Sequence, residues 1–240
     1  MRCCQRILAV GMILALVFTL PLTAQAAPSQ PDWDLTALPE SFFDDAVFLG
    51  DSVSVTLGRF CEEKGGLGEA LFLPNFSYGV HNAITGVVKI WYQGRDYFPD
   101  EAVTEVGAKK VFLMLGLNDI DPYGLDDTMD YWLLVTDQIK AANTDAQLFI
   151  QSMLPIWHTI HYTGLNNDNI IRYNELLRAF CEEAGYVYVD IADYFRDETG
   201  GLAEEYCSDF YVHVNYAATA LWIEQLKNPA NYSVDPRLYV

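Results

Sequence analysis

Apolar residues in this chain collect into short unbroken runs, and the stretches between them repeat with a helical period. Ala46-Val47-Phe48-Leu49 is the first run and ends at Gly50. Ala70 to Leu73 is the second, Lys110 to Leu115 the third, Gln147 to Ile150 the fourth and Tyr186 to Val189 the fifth. Runs this short, with no polar alternation, predict strands buried on both faces. The intervening pattern predicts helices over about 52–63, 81–91, 128–142, 169–184 and 216–226. In the fourth of these, Ile170, Tyr173, Leu177 and Phe180 or Cys181 mark one apolar face. Strands alternating with helices imply a parallel five-stranded sheet with helices on both sides, a three-layer α/β/α sandwich with right-handed crossovers. Ligands of such sheets bind beyond the carboxyl ends of the strands, so the residues after each run carry the most weight.

The two ends of the chain read differently. Arg2 and Arg6 precede an apolar run from Ile7 to Leu20, and Ala24-Gln25-Ala26 supplies small residues for cleavage. That is the pattern of a secretory signal peptide over 1–26, which predicts a secreted protein. The run is shorter than the ~20 residues of a bilayer span, and no second one follows, so no membrane helix is expected after cleavage. Residues 27–45, with Pro28, Pro31 and Pro39, read as a lead-in arm, 46–228 as one domain and 229–240 as a C-terminal extension. No repeat or linker divides the domain.

Composition then narrows the partners. There are 14 Lys+Arg against 33 Asp+Glu, a formal net charge of −19. Loss of residues 1–26 would take it to −21, because that segment holds two arginines and no carboxylate. Such a surface opposes nucleic acid and anionic membranes, both of which call for clustered Lys and Arg. Apolar residues make up 51%, enough for a packed core. Beyond the signal segment, with its Cys3 and Cys4, only Cys61, Cys181 and Cys207 remain. They read as small buried apolar groups; one bridge with a thiol left over is the alternative.

Chemistry concentrates after the runs. Gly50-Asp51-Ser52 follows the first, where a serine at a sharp strand-to-helix turn gains from the helix dipole as a nucleophile. An ordinary N-cap is the plainer reading. Asn75-Phe76-Ser77-Tyr78-Gly79 follows the second, and Gly79 could expose a backbone N–H to a ligand or simply make a turn. Gly116-Leu117-Asn118-Asp119 follows the third, where Asn118 could donate to an oxyanion or cap the loop. Asp209-Phe210-Tyr211-Val212-His213 lies between the fifth run and the last helix. A histidine there could serve a serine as base, oriented by a carboxylate.

Taken together, Phe48-Leu49-Gly50-Asp51-Ser52, the glycine, Leu115-Gly116-Leu117-Asn118-Asp119-Ile120 and the late Asp and His resemble the SGNH hydrolases, also called the GDSL esterase/lipase family. The resemblance spans about Phe48 to Leu226. It implies a flavodoxin-like α/β/α fold and an ester-hydrolysing enzyme with no cofactor or metal. It implies Ser52 as nucleophile, His213 as base and Asp209 as its partner. The oxyanion hole would be the N–H groups of Ser52 and Gly79 with the Asn118 amide; Gly86 is a weaker alternative to Gly79. Two departures stand out. Val53 replaces the family's leucine, a minor change. Three residues rather than two separate Asp209 from His213, and Phe210 occupies the position where the strict motif has aspartate. A one-residue bulge or a helical turn would restore contact; otherwise a Ser–His dyad remains.

Other clusters carry less. His158-x-x-His161 beside Trp157 has too few ligands for a metal site, and Trp157 and His158 read instead as a cleft wall. Asp119, Asp121, Gly124 and Asp130 partly fit a calcium-loop template, but Tyr123 stands where an oxygen ligand belongs. Trp91, Tyr92, Tyr97, Trp132 and Trp157 could stack on sugar rings, though aromatics more often fill cores. The expected activity is hydrolysis of short acyl, foremost acetyl, esters on carbohydrate or cell-wall polymers. An O-acyltransferase with the same acyl-enzyme, or a non-catalytic binding module, are the alternatives.

Overall fold

A computed structural model describes residues 32–239. The signal-peptide pattern over 1–26, Cys3, Cys4, Pro28 and Pro31 lie outside the described residues.

The five apolar runs become the strands of one parallel sheet: β1 (Ala46–Gly50), β2 (Leu71–Phe72), β5 (Lys110–Met114), β6 (Gln147–Gln151) and β7 (Val187–Val189), in the order β2-β1-β5-β6-β7. Among the described residues, six α-helices accompany them: α1 (Ser52–Lys64), α2 (Val80–Thr85), α3 (Pro99–Val106), α4 (Ile120–Ala142), α5 (Asn167–Ala184) and α6 (Tyr216–Lys227). The chain steps outward from β1 to β2, then back across β1 to β5 and on to β7. Right-handed crossovers put helices of opposite steps on opposite faces. Accordingly α1 packs with α6, while α3 and α5 pack with α4. The step reverses between β1 and β5, so the crevice beyond their carboxyl ends is the switch point where such sheets hold ligands.

Register explains why the strands hold together. Phe72, Phe48, Phe112 and Phe149 are direct partners across β2, β1, β5 and β6. Their rings stack at centroid separations of 4.9, 4.5 and 4.6 Å. Aromatic pairs each add about 0.5–1.5 kcal/mol beyond the area they bury. The segment before β1 joins this ladder: Phe42 and Phe43 are buried, with Phe43 5.7 Å from the Phe112 ring. The last residues cover the outer edge of β7. Tyr232 bridges Val189, and Ser233 N–H donates to the Tyr188 carbonyl at 2.9 Å.

The structure departs from the periodicity in three places. The helix expected over 81–91 ends at Thr85, because Gly86 adopts a left-handed C-cap with φ 70°. The chain then forms a hairpin, β3 (Ile90–Tyr92) against antiparallel β4 (Arg95–Tyr97). Its two-residue turn has positive φ at both Gln93 and Gly94, the geometry that matches strand twist. The helix α3 has no counterpart in the apolar pattern; Pro99 opens it, and the Glu101 side chain accepts from the Phe98 N–H at 2.9 Å. The helix expected from 128 begins at Ile120 and is interrupted at Gly124, with φ 76°.

Among the described residues, Cys61, Cys181 and Cys207 form no disulfide; Cys181 is buried, the other two half-buried. Burial pushes the Cys61 and Cys181 thiols up to about 12. Cys181 fits the reading as a small buried apolar group; Cys61 and Cys207 are only partly buried.

Candidate active site

Gly50 and Met114 are register partners at the ends of β1 and β5, so Gly50-Asp51-Ser52 and Gly116–Asp119 leave the sheet side by side. The turn from β1 into α1 is tight enough that a Cβ on Gly50 would sit 2.1 Å from Ser54 Oγ. Asp51 caps the helix, its Oδ1 accepting from Val53 N–H at 2.9 Å. Ser52 is the first helical residue, half-buried, at the positive end of the helix dipole.

Its hydroxyl lies 3.0 Å from His213 Nε2. On the far side of the ring, Nδ1 lies 2.5 Å from Asp209 Oδ2. The longer Asp209–His213 spacing is accommodated by a bulge rather than a helical turn. Phe210 takes a left-handed φ of 54° and is expelled to solvent. The other Asp209 oxygen accepts from the Tyr211 and His213 N–H groups at 2.9 and 3.2 Å, which pins the loop around the carboxylate. Desolvation raises the Asp209 carboxyl. Hydrogen bonds from the His213 ring and from the two N–H groups, with the His213 charge, outweigh it and hold the carboxyl below its ordinary value. The strand-like bridge between Cys207 and Val214 closes the loop, and Asn215 then caps α6.

Asn118 and Gly79 meet on the opposite side. The Asn118 amide donates to the Tyr78 carbonyl at 3.0 Å. Asp119, which sequence reasoning gave no role beyond a weak calcium template, grips the same loop. Its two oxygens accept from Val80 and His81 N–H, each at 3.0 Å. Gly79 sits between these grips, and a Cβ there would fall 2.2 Å from Asp119 Oδ2. Its φ of −149° is open to any residue, so the glycine is required by the close approach. Burial raises the Asp119 carboxyl against those two N–H donors. Gly86 lies at the other end of α2 and does not join this cluster. Asp121 fastens a second loop: it accepts from Gly164 N–H at 2.8 Å.

Trp157 flanks the histidine loop. Its backbone N–H donates to the Tyr211 carbonyl at 2.8 Å, and its ring meets the exposed Phe210 edge-on at 5.1 Å. His158 packs beside Trp157 at 4.5 Å and against Gly201.

The family model of the GDSL-like lipase/acylhydrolase family matches residues 48–221, from β1 into α6. The chain belongs to this family. No curated protein matches this acylhydrolase significantly in sequence. Among solved structures it is similar to a GDSL-like lipase from Bacteroides thetaiotaomicron, with TM-score 0.61 and 15% identity over 80% of this chain and 89% of that one. An acetyl xylan esterase is similar with TM-score 0.56 and 13% identity over 75% and 96% of the two chains. The catalytic domain of a Streptococcus pneumoniae peptidoglycan O-acetyltransferase, solved with a methylsulfonyl adduct, follows with TM-score 0.51 and 13% identity over 80% and 92%. At these identities the likeness is one of fold.

Asp51 gives the acylhydrolase a pH dependence of its own. It is fully buried, and desolvation lifts its carboxyl from 3.8 to about 7 despite the Val53 and Ser54 N–H groups and the His213 charge; Asp119 adds to the rise. A folded-state value above the unfolded one means stability is fullest below pH 4 for this group and is lost as pH rises through about 7. The loss is on the order of 4 kcal/mol. Asp51→Asn keeps the helix cap but removes the buried charge. In urea unfolding it is expected to exceed the parent at pH 8 by about 2–4 kcal/mol, with the gap closing toward pH 4. Equal gaps at both pH values would contradict this.

Proposed function

We propose that this acylhydrolase is an exported serine esterase that removes short acyl groups, foremost acetyl, from carbohydrate or cell-wall polymers. The observation that carries the reading is the unbroken line Ser52 Oγ, His213 ring, Asp209 carboxylate, at 3.0 and 2.5 Å. In this reading Ser52 Oγ attacks the ester carbonyl as His213 Nε2 takes its proton. Asp209 keeps the proton on Nδ1 and stabilises the imidazolium. The developing oxyanion is met by the N–H groups of Ser52 and Gly79 and by the Asn118 amide. The amide is held in place by the Tyr78 carbonyl, which uses one of its two N–H donors. Collapse passes the proton from His213 to the leaving alkoxide, and water then repeats the sequence on the acyl-enzyme.

The choice of acetyl is supported by the acetyl xylan esterase and the acetyltransferase among the similar structures. Export rests on the 1–26 pattern. Transfer to a sugar hydroxyl in place of water shares the acyl-enzyme, and the acetyltransferase likeness keeps it as the second reading. Incubation with a fluorophosphonate is expected to label one serine, Ser52, by peptide mass mapping; an unlabelled, folded protein would overturn both readings. Adding free glycans to the turnover assay separates hydrolysis from transfer.

A further inference from the structure

Outside the Ser52–His213–Asp209 cluster, one groove combines open aromatic surface with charged groups, and it starts one helical turn from the nucleophile. Val55, Arg59 and Glu62 follow Ser52 at intervals of three, seven and ten residues, the spacing of a single helix face. From Ser52 to Glu62 the helix advances about 15 Å. Asn75 and Phe76, on the loop that also carries Gly79, and Trp91, on the β3–β4 hairpin, form the facing wall. Asn75 Nδ2 donates to the Lys89 carbonyl at 2.7 Å, which fastens the hairpin to that loop. The open groove has a volume of about 360 Å³, within the ~300–1,000 Å³ of small-molecule sites.

Phe76 and Trp91 are 59% and 63% exposed, a large apolar surface to leave in water. Beside them stand a guanidinium, a carboxylate and a carboxamide. This combination suits a saccharide: the C–H face of a pyranose lies on an aromatic ring, while Arg59 and Glu62 take its hydroxyls in hydrogen bonds; the Asn75 amide is already held by the Lys89 carbonyl and the Phe76 N–H. A hydrocarbon chain fits it poorly, because it would strip water from Arg59 and Glu62 and offer no partner in return. A polyanion is opposed by Glu62 and by the net charge of −19.

The geometry points to this groove as the subsite for the alcohol part of the ester, a neutral oligosaccharide running from Ser52 along α1 over Trp91 and Phe76. This rests on the esterase reading of Ser52 and adds the direction and chemistry of the bound chain. The test compares O-acetylated xylotetraose, cellotetraose and chitotetraose with 4-nitrophenyl acetate and 4-nitrophenyl octanoate, for the parent, Trp91→Ala and Arg59→Ala. For at least one tetrasaccharide, Trp91→Ala is expected to lower kcat/KM relative to 4-nitrophenyl acetate by about ten-fold or more, mainly through KM, with a smaller fall for Arg59→Ala. An unchanged ratio on all three, or a loss confined to the octanoate, overturns the inference while Ser52-dependent acetate release leaves the esterase reading standing. Should no ester be turned over, calorimetric binding of the unacetylated tetrasaccharides to Ser52→Ala decides the subsite alone. Binding that disappears on adding Trp91→Ala supports it, and no binding overturns it.

Discussion

Ser52→Ala is expected to lower kcat on 4-nitrophenyl acetate by about 10⁴- to 10⁶-fold, the share of a nucleophile whose loss leaves only oxyanion stabilisation and binding. The hydroxyl is single-purpose in this structure. The helix cap belongs to Asp51, and the only side-chain partner of Ser52 Oγ among the described residues is His213. Removing it therefore leaves α1 intact, and circular dichroism and the unfolding midpoint should match the parent. His213→Ala should lose nearly as much, and the double variant little more than either, because the two act on one proton. Additive losses in a double-mutant comparison would mean that the hydroxyl and the ring serve different steps.

The second large effect is expected at Asp209, where kcat/KM should fall about 10²- to 10⁴-fold on replacement by asparagine. Asparagine preserves the oxygen that takes the Tyr211 and His213 N–H groups, so the loop survives. What it changes is the group facing Nδ1. An amide N–H there favours the tautomer with the proton on Nε2, which cannot accept from Ser52. Alanine would also free the loop, so it should lose more stability than asparagine while its rate loss comes from a mobile ring. The Asp209 side chain is 34% exposed, and solvent screening keeps the expected loss toward the lower end of the range. Steady-state kinetics across pH 6–9 for both variants, with thermal midpoints, read these apart. An asparagine variant within about three-fold of the parent would leave a Ser–His dyad.

The sheet was legible because strands buried on both faces cannot alternate: Val111 to Leu113 and Leu148 to Ile150 are wholly buried and wholly apolar. Crossover handedness then fixed where the loops would gather. The hairpin was hidden because Ile84, Val88 and Trp91 share a helical spacing that is real in the sequence and unused in the fold. Gly86 ends the helix, and Gln93-Gly94, flanked by aromatic and apolar residues, was the overlooked turn signal. That hairpin is also what sets Trp91 on the groove, which no local pattern encodes. At the site, residue types at strand ends pointed to Ser52, Asn118 and His213. The grip of Asp119 on the Gly79 loop joins positions 39 residues apart in sequence, a contact no local pattern encodes. The contact of Asp209 with His213 depended on a backbone choice at Phe210. A left-handed phenylalanine is uncommon enough that spacing alone argued against it.

The margins of the sheet have a consequence for how the protein behaves in concentrated or crowded solution. A parallel sheet with open flanks is a template on which another chain can lay a strand. Here one flank is β2, only 2 residues long, and the other, β7, already has its outward groups taken by the segment around Tyr232 and Ser233. The rows of Phe and Val that make the interior so apolar are thereby kept from stacking with those of a second molecule. The final residues thus guard the folded chain against self-assembly, as well as completing its core.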